Sequence, residues 1–484
     1  MLPARLWSTL LVGVVAALTT TALPAEKRGV LYPEEAVAIE LLIRQAGNQT
    51  AATSSRLTTT VASSSSTNNV SGTSTRSASS TSTNSNSSTS TKSTSSTSSP
   101  NPSSSGVLRT SAQASGGGLP SPPSGSRLTQ HTINGKPGTT ATVPIFANKN
   151  YIGSGSNGAS SAWIGLHGRL RNGNQLFSDL YNVVGDQGVA VVPNFYGPDD
   201  VRTVQNAQNQ GKPNPIWLQP DRNVIWNDDW RYGSDAVAGG TSRPLNGESV
   251  SSLEILDSLI KNLSNKSRYP NMARITVVGH SAGAALVDIY SHFGPNAPSG
   301  IKIRYVEANT PTSYMVDSRR PVGPIDLAKC PNYNNWPYGP GGAKPRYINN
   351  AMSSWSFQRT CSRDVVRLSG TKDTYQADSG GDQSCMSWAQ GGPDRTNRGQ
   401  AAWVIDNLRA NTKRTDLRYY ASYQNITTFQ GGVPVQEVPT FRKTFALVYG
   451  VAHVAGQMFA SDYGRQALLK TTPISYTQTE PAPY

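Results

Sequence analysis

The sequence predicts an α/β domain built on a mostly parallel central sheet flanked by helices and preceded by a disordered Ser/Thr-rich stalk. Three observations predict it. From residue 126 onward, short β-branched runs alternate with longer patterns of helical period, as strands joined by crossover helices do. The same region holds all three cysteines and nearly all of the nine tryptophans, so the core-forming residues are concentrated there. Residues 51–100, by contrast, contain 34 Ser or Thr and no acid. That composition cannot bury a core.

Taken from the start, Arg5, an apolar run over Leu6–Leu18 and small residues ending at Leu23-Pro24-Ala25 read as a secretory signal peptide over 1–25. The run is shorter than the roughly 20 residues that span a bilayer, so an exported, extracellular protein without a membrane span is expected. The pair Lys27-Arg28 reads either as a processing site or as a charged flank. Residues 26–47 form a short helical pre-segment, with Ala36, Ile39, Leu42 and Ile43 at helical spacing; a pro-segment and a fraying terminal helix remain equal readings of it. Residues 48–125 are the linker, with sequons at Asn48, Asn69 and Asn86 that predict a glycosylated, extended stalk. The final stretch, Thr471 to Tyr484, lacks the hydrophobic tail of a lipid-anchor signal.

The remaining region, 126–484, is expected to be one catalytic domain. It carries 35 Lys or Arg against 25 Asp or Glu, a formal charge of +10 within the chain's +14, so the charge is not confined to the stalk. These cations are scattered, with no basic helix and no aromatic-interleaved RNA motif, and no nucleic-acid partner is expected. The positive field instead favours association with acidic cell-wall polymers.

Within the domain, strands are predicted at Thr140–Phe146, Ala162–Leu166, Val189–Val192, Ile275–Val278, Ile303–Val306, Val365–Leu368 and Phe445–Tyr449. A helix is predicted over Val250–Leu263, where Leu253, Leu256, Ile260 and Leu263 share one face and serines stand ready to cap its start. Before it lies a long irregular insertion, about 197–247, carrying Trp217, Trp226 and Trp230. Such a loop reads as a lid or substrate rim, or as a cover for packed tryptophans.

The chemistry is carried by Gly279-His280-Ser281-Ala282-Gly283, a G-x-S-x-G between a β-branched run and an amphipathic helix. This is the context of a nucleophile elbow, where a tight turn exposes the serine and its glycines avoid collision with strand and helix. Ser281 attacking a carbonyl generates an oxyanion that needs two N–H donors. Ala282 offers one, and Arg169, in the turn Leu166-His167-Gly168-Arg169 after an earlier strand, offers the other. Of five histidines, His131 precedes the predicted sheet, His167 and His280 lie inside the two turns, and His292 lies about three turns into the helix. His453 alone follows the last predicted strand, where the order Ser…acid…His requires the base. The acid is expected after the penultimate strand. Asp373 stands there, with Glu307, Asp378 and Asp382 as competitors.

These residues resemble the fungal secreted α/β-hydrolases with a GHSAG elbow, over most of 160–465. The matching stretches are the Leu166-His167-Gly168 turn, Ser251 to Asp257, Val278 to Gly283, Ala308-Asn309-Thr310-Pro311, Asp373, and the block Asp394 to Gly399. Ala284 departs from a frequent glycine after the elbow, which bears only on local packing. The resemblance implies the α/β-hydrolase fold, acyl-ester hydrolysis without cofactor or metal, and Ser281, Asp373 and His453 as triad. The expected function is a secreted carboxylic-ester hydrolase working through an acyl-enzyme on a small-molecule or polymer-borne ester. A serine peptidase and a catalytically idle cell-wall or adhesive glycoprotein remain the alternatives.

Among the cysteines, a Cys330–Cys385 disulfide is expected, because both follow strands at the catalytic edge of the sheet. Cys361 precedes its strand, at the opposite edge, about 20 Å away and beyond disulfide reach.

Overall fold

A computed structural model of the chain describes residues 122–133, 142–197, 200, 226, 228–236, 250–321, 325–375, 381–420 and 435–474. The expected signal peptide, pre-segment helix and stalk, with Trp217 and Asp378, lie outside these residues.

Eight strands form one sheet in the order β1-β2-β4-β3-β5-β6-β7-β8. They are β1 (Arg127–Thr132), β2 (Thr142–Ala147), β3 (Ser161–Leu166), β4 (Val189–Pro193), β5 (Arg274–His280), β6 (Lys302–Ala308), β7 (Asp364–Gly370) and β8 (Lys443–Val448). β2 runs antiparallel to both its neighbours, and every other pairing is parallel. The interior strands read as near-continuous apolar runs because helices cover both faces of a parallel sheet. β5 shows this in Ile275, Val277 and Val278, all fully buried.

Seven of these strands match the runs read from the sequence, with ends shifted by a few residues. β1 was not among them. His131 lies inside that strand rather than before the sheet, a correction to the sequence reading. The segment Arg127-Leu128-Thr129-Gln130-His131-Thr132 is largely polar and sits at a sheet edge, half-buried, so it lacks the apolar alternation that marks a strand.

Nine α-helices are described: α1 (Gly173–Val184), α2 (Ser252–Leu263), α3 (Ala282–Phe293), α4 (Arg346–Met352), α5 (Phe357–Ser362), α6 (Cys385–Trp388), α7 (Arg395–Arg409), α8 (Ala455–Ala460) and α9 (Asp462–Leu469). α2 begins at Ser252 because Ser251 caps it: Ser251 Oγ accepts from Leu253 N, and Glu254 reaches back to the Ser251 N–H. Leu176, Phe177 and Leu180 of α1 pack with Met458, Phe459 and Leu468 of α8 and α9 in one core. Leu253, Leu256 and Ile260 of α2 pack with Leu286 and Ile289 of α3 in a second core that shares Ile164, Ile275 and Val277 of the strands.

Cys330 and Cys385 form a disulfide, and Cys361 is a buried free thiol. Among the described residues no helix is long and apolar enough to cross a membrane.

Candidate active site

β5 ends at His280 and α3 begins at Ala282, leaving Ser281 alone to turn the chain. It does so at φ 58°, a left-handed conformation that costs a non-glycine residue on the order of 1–3 kcal/mol. Backbone bonds hold it there, from Ser281 N to Ala308 O at 3.0 Å and from Ala284 N to Ser281 O at 2.9 Å. Gly283 is required because a Cβ at that position would lie 2.1 Å from Leu166 O; at Gly279 it would lie 2.3 Å from the Gly283 carbonyl carbon.

That close approach brings the turn after β3 against the elbow. A Cβ built on Gly168 would meet Ser281 Cβ at 3.8 Å, so the segment preceding Arg169 lies beside the serine. The turn is fixed by His167. Its Nε2 accepts from Phe195 N at 2.9 Å, which leaves Nδ1 to donate to Gly168 O at 2.8 Å. Burial lowers its pKa to about 4, so the imidazole stays neutral and keeps that tautomer. Trp230 packs edge-on to His167, with centroids 4.8 Å apart, and stacks on Phe195; Trp226 meets Phe195 edge-on. Both tryptophans of the insertion that are described therefore pack in the aromatic cluster around His167 and Phe195.

On the other side, His453 Nδ1 hydrogen-bonds Asp373 Oδ2 at 2.9 Å. Asp373 is fully buried, and its second oxygen, Oδ1, accepts from Arg395 Nη1 at 2.5 Å. The His453 ring lies 4.5 Å from the ring of His280, the residue next to Ser281. Burial, then the nearby His453 and Arg395, push the His280 pKa well down, so it carries no charge into the site.

Asn309, at φ 50° after β6, ties the loops together. Its Nδ2 donates to Ala452 O beside His453 at 3.0 Å, and its Oδ1 accepts from Gly370 N at 2.8 Å, at the end of β7. Lys372 N donates to Val451 O at 3.0 Å, joining the acid loop to the histidine loop directly.

Of the competing acids, the two among the described residues are engaged elsewhere. Glu307 is bound to Arg367 at 2.7 Å, and Asp382 accepts from Tyr338 Oη at 2.5 Å. Two residues of this cluster carried no signal of their own in the sequence reading, Arg395 and Asn309. Both lie in stretches that matched the resembled hydrolases, which was the available hint. Among the described residues no three His, Cys, Asp or Glu side chains converge as metal ligands would.

No family model and no curated protein matches the sequence. Among solved structures, a poly(aspartic acid) hydrolase from a Sphingomonas species is similar at 15% identity, covering 71% of this chain and 97% of that one, with a TM-score of 0.43. A poly(3-hydroxybutyrate) depolymerase from Bordetella parapertussis is similar at 16% identity, covering 69% and 87%, with a TM-score of 0.41. A siderophore hydrolase from Aspergillus nidulans is similar at 12% identity, covering 74% and 100%, with a TM-score of 0.29. Each of these scores lies below 0.5, so the fold assignment rests on strand order and direction. An eight-stranded, mostly parallel sheet with its second strand reversed and a strand–serine–helix elbow on β5 is the α/β-hydrolase fold.

Proposed function

We propose that the protein is a secreted serine hydrolase that cleaves carboxylic esters through an acyl-enzyme. The observation that carries this reading is the Asp373–His453 hydrogen bond of 2.9 Å, held beside a serine in the strained elbow conformation. With Nδ1 committed to Asp373, His453 keeps Nε2 as its acceptor. In the proposed mechanism Ser281 Oγ attacks the ester carbonyl carbon as its proton passes to His453 Nε2. The carbonyl π pair moves onto oxygen, where the N–H groups of Ala282 and Arg169 stabilise it. Collapse expels the alkoxide, which takes the proton from His453, and leaves the acyl group on Ser281. Water then repeats the sequence, releasing the acid and restoring the serine.

Exposed apolar side chains beside these loops support an apolar ester as substrate. Leu170 follows Arg169, Tyr375 lies two residues after Asp373, and Val454 follows His453; all three are exposed. Export rests on the leader-like first 25 residues and the Ser/Thr-rich segment behind them.

A fluorophosphonate probe is expected to label Ser281, and p-nitrophenyl esters of increasing chain length to be hydrolysed. Ser281→Ala should lower kcat by several orders of magnitude with folding intact. A folded wild-type protein that neither reacts with the probe nor cleaves any ester would remove this reading. Cleavage of peptides alone would replace it with a peptidase.

A further inference from the structure

The end of the sheet opposite the elbow carries a second feature. The N-terminal ends of β5 to β8 form one wall of a cleft of about 510 Å³, lined, among the described residues, by eight Lys or Arg and by a single carboxylate, Asp364. Four adjacent parallel strands supply its cations in a row. Arg274 opens β5, Lys302 opens β6, Arg363 directly precedes β7, and Arg442 directly precedes β8. Neighbouring strands are about 4.8 Å apart, so the row extends over roughly 15 Å.

Some of this charge is structural. Arg304 is paired with Asp364, Lys443 with Asp406, and Arg414 with Asp416. Arg363 donates to Tyr290 O and Ser291 O in the last turn of α3, where the helix dipole favours a cation, and Arg274 donates to Lys470 O and Thr471 O. Three cations have no such role: among the described residues Lys302, Arg359 and Arg442 have no side-chain hydrogen bond or ion pair. Arg359 lies on α5, with Nε and Nη2 buried and unpartnered. Burial and the neighbouring Arg363 lower its pKa. Like charges gathered in a partly enclosed cleft repel one another, and an anion there would relieve that repulsion.

We propose that this cleft binds a carboxylated polysaccharide, with the uronate groups of a chain laid along the row of strand ends pairing with Lys302, Arg359 and Arg442. Guanidinium forks match carboxylates, and a row of cations at strand spacing suits a polymer that repeats its charge from sugar to sugar. The floor argues against other polyanions. Of the two aromatic residues that line it, Tyr305 is buried at 2% exposure and Phe441 is half-buried, and none of the exposed large apolar residues among those described lines the cleft. It therefore offers no row of exposed rings for single-stranded nucleic acid to stack on and no exposed large apolar side chain to enter a lipid surface. A strand of seven residues separates the cleft from the elbow by about 23 Å. A chain held there would anchor the protein to an acidic matrix while leaving the serine end open. The inference does not depend on the ester-hydrolase reading.

The test is retention of the full-length protein on immobilised polygalacturonate at low salt, with neutral dextran as blank. The triple variant Lys302→Gln, Arg359→Gln, Arg442→Gln is compared with Lys149→Gln, Lys329→Gln, Arg465→Gln, which removes the same charge elsewhere. The cleft variant should lose about ten-fold or more in affinity and the control triple much less, with hydrolysis of a soluble ester unchanged in both. Should the triple misfold, Lys302→Gln and Arg442→Gln singly, at exposed positions, should each weaken binding. Equal losses in the two triples, undiminished binding by the cleft variants, or tighter wild-type binding to polyglutamate or duplex DNA at the same salt would overturn the proposal.

Discussion

At the scale of single residues, the least expected contact is the one behind the acid. Asp373 offers one oxygen to His453 and the other to Arg395, and both Asp373 and Arg395 are buried. The guanidinium fixes the carboxylate against the imidazole. On the proposed mechanism that orientation sets where the base stands, so Arg395→Met should lower kcat for a soluble ester by about ten-fold or more with KM little changed, whereas Arg395→Lys, keeping the charge, should lose less. Steady-state kinetics of the two variants decides it, and an unchanged kcat in the Met variant would reduce Arg395 to packing. Elimination and chain order pointed to His453, and strand position favoured Asp373 over three competing acids; the two lie in hydrogen-bond contact because the fold dictates which loops follow which strands. Arg395 could not be selected that way. It reaches Asp373 from the start of α7, across 22 residues, and that contact exists only once α7 has docked against the sheet.

Among the elements, the elbow is the most constrained by its glycines, and two of them separate steric cost from conformational cost. Gly283 has a helical backbone but no room, since an added Cβ would meet Leu166 O at 2.1 Å and His167 O at 2.7 Å. Both are backbone atoms of the turn after β3 and cannot yield without moving it. Gly300 is the reverse, with φ 74° and open space around it. Gly300→Ala should cost about 1–2 kcal/mol, the left-handed penalty alone. Gly283→Ala should cost more than about 4 kcal/mol or prevent soluble expression, because a strand, a turn and a helix must separate. Thermal unfolding of both variants tests the contrast, which fails if the two midpoints fall together. Such crowding is also why the elbow is readable in a sequence: small residues are forced at fixed positions between a β-branched run and a helix. The inner strands were legible for a related reason, as burial on both faces leaves them almost wholly apolar. β1 was not, because an edge strand with one wet side keeps polar residues such as Thr129, Gln130 and His131. The reversal of β2 was not legible either, since nothing in the pattern Thr142-Val143-Pro144-Ile145-Phe146-Ala147 encodes direction.

For the molecule as a whole, the histidines set an acid limit. Four of the five, His131, His167, His280 and His292, are buried. Burial lowers His131 and His167 to about 4, and His280 and His292 well below the ordinary value. Unfolded, each binds a proton near pH 6.5; folded, each stays neutral until the pH is far lower. Between those values the unfolded chain takes up more protons, so their contribution to stability is present above pH 6.5 and is lost as pH falls. Buried carboxylates oppose this. Burial holds Asp257 above its usual range, and burial together with Glu307 does the same for Asp288, so both favour the folded state as pH falls. The net slope is the balance of the two groups, and one histidine can be isolated from it. His131 sits on β1, across the sheet from the strand that precedes His453, bonded to Tyr151 Oη and Ser258 Oγ at 2.9 Å each. His131→Gln can keep hydrogen bonds to both hydroxyls but does not titrate. The stability advantage of wild type over this variant should therefore shrink by about 3 kcal/mol between pH 7 and pH 4. Ester hydrolysis at pH 7 should be unchanged. Urea unfolding of both proteins at the two pH values measures the difference directly, and parallel pH dependences would mean that His131 takes up its proton in the folded state as readily as in the unfolded chain.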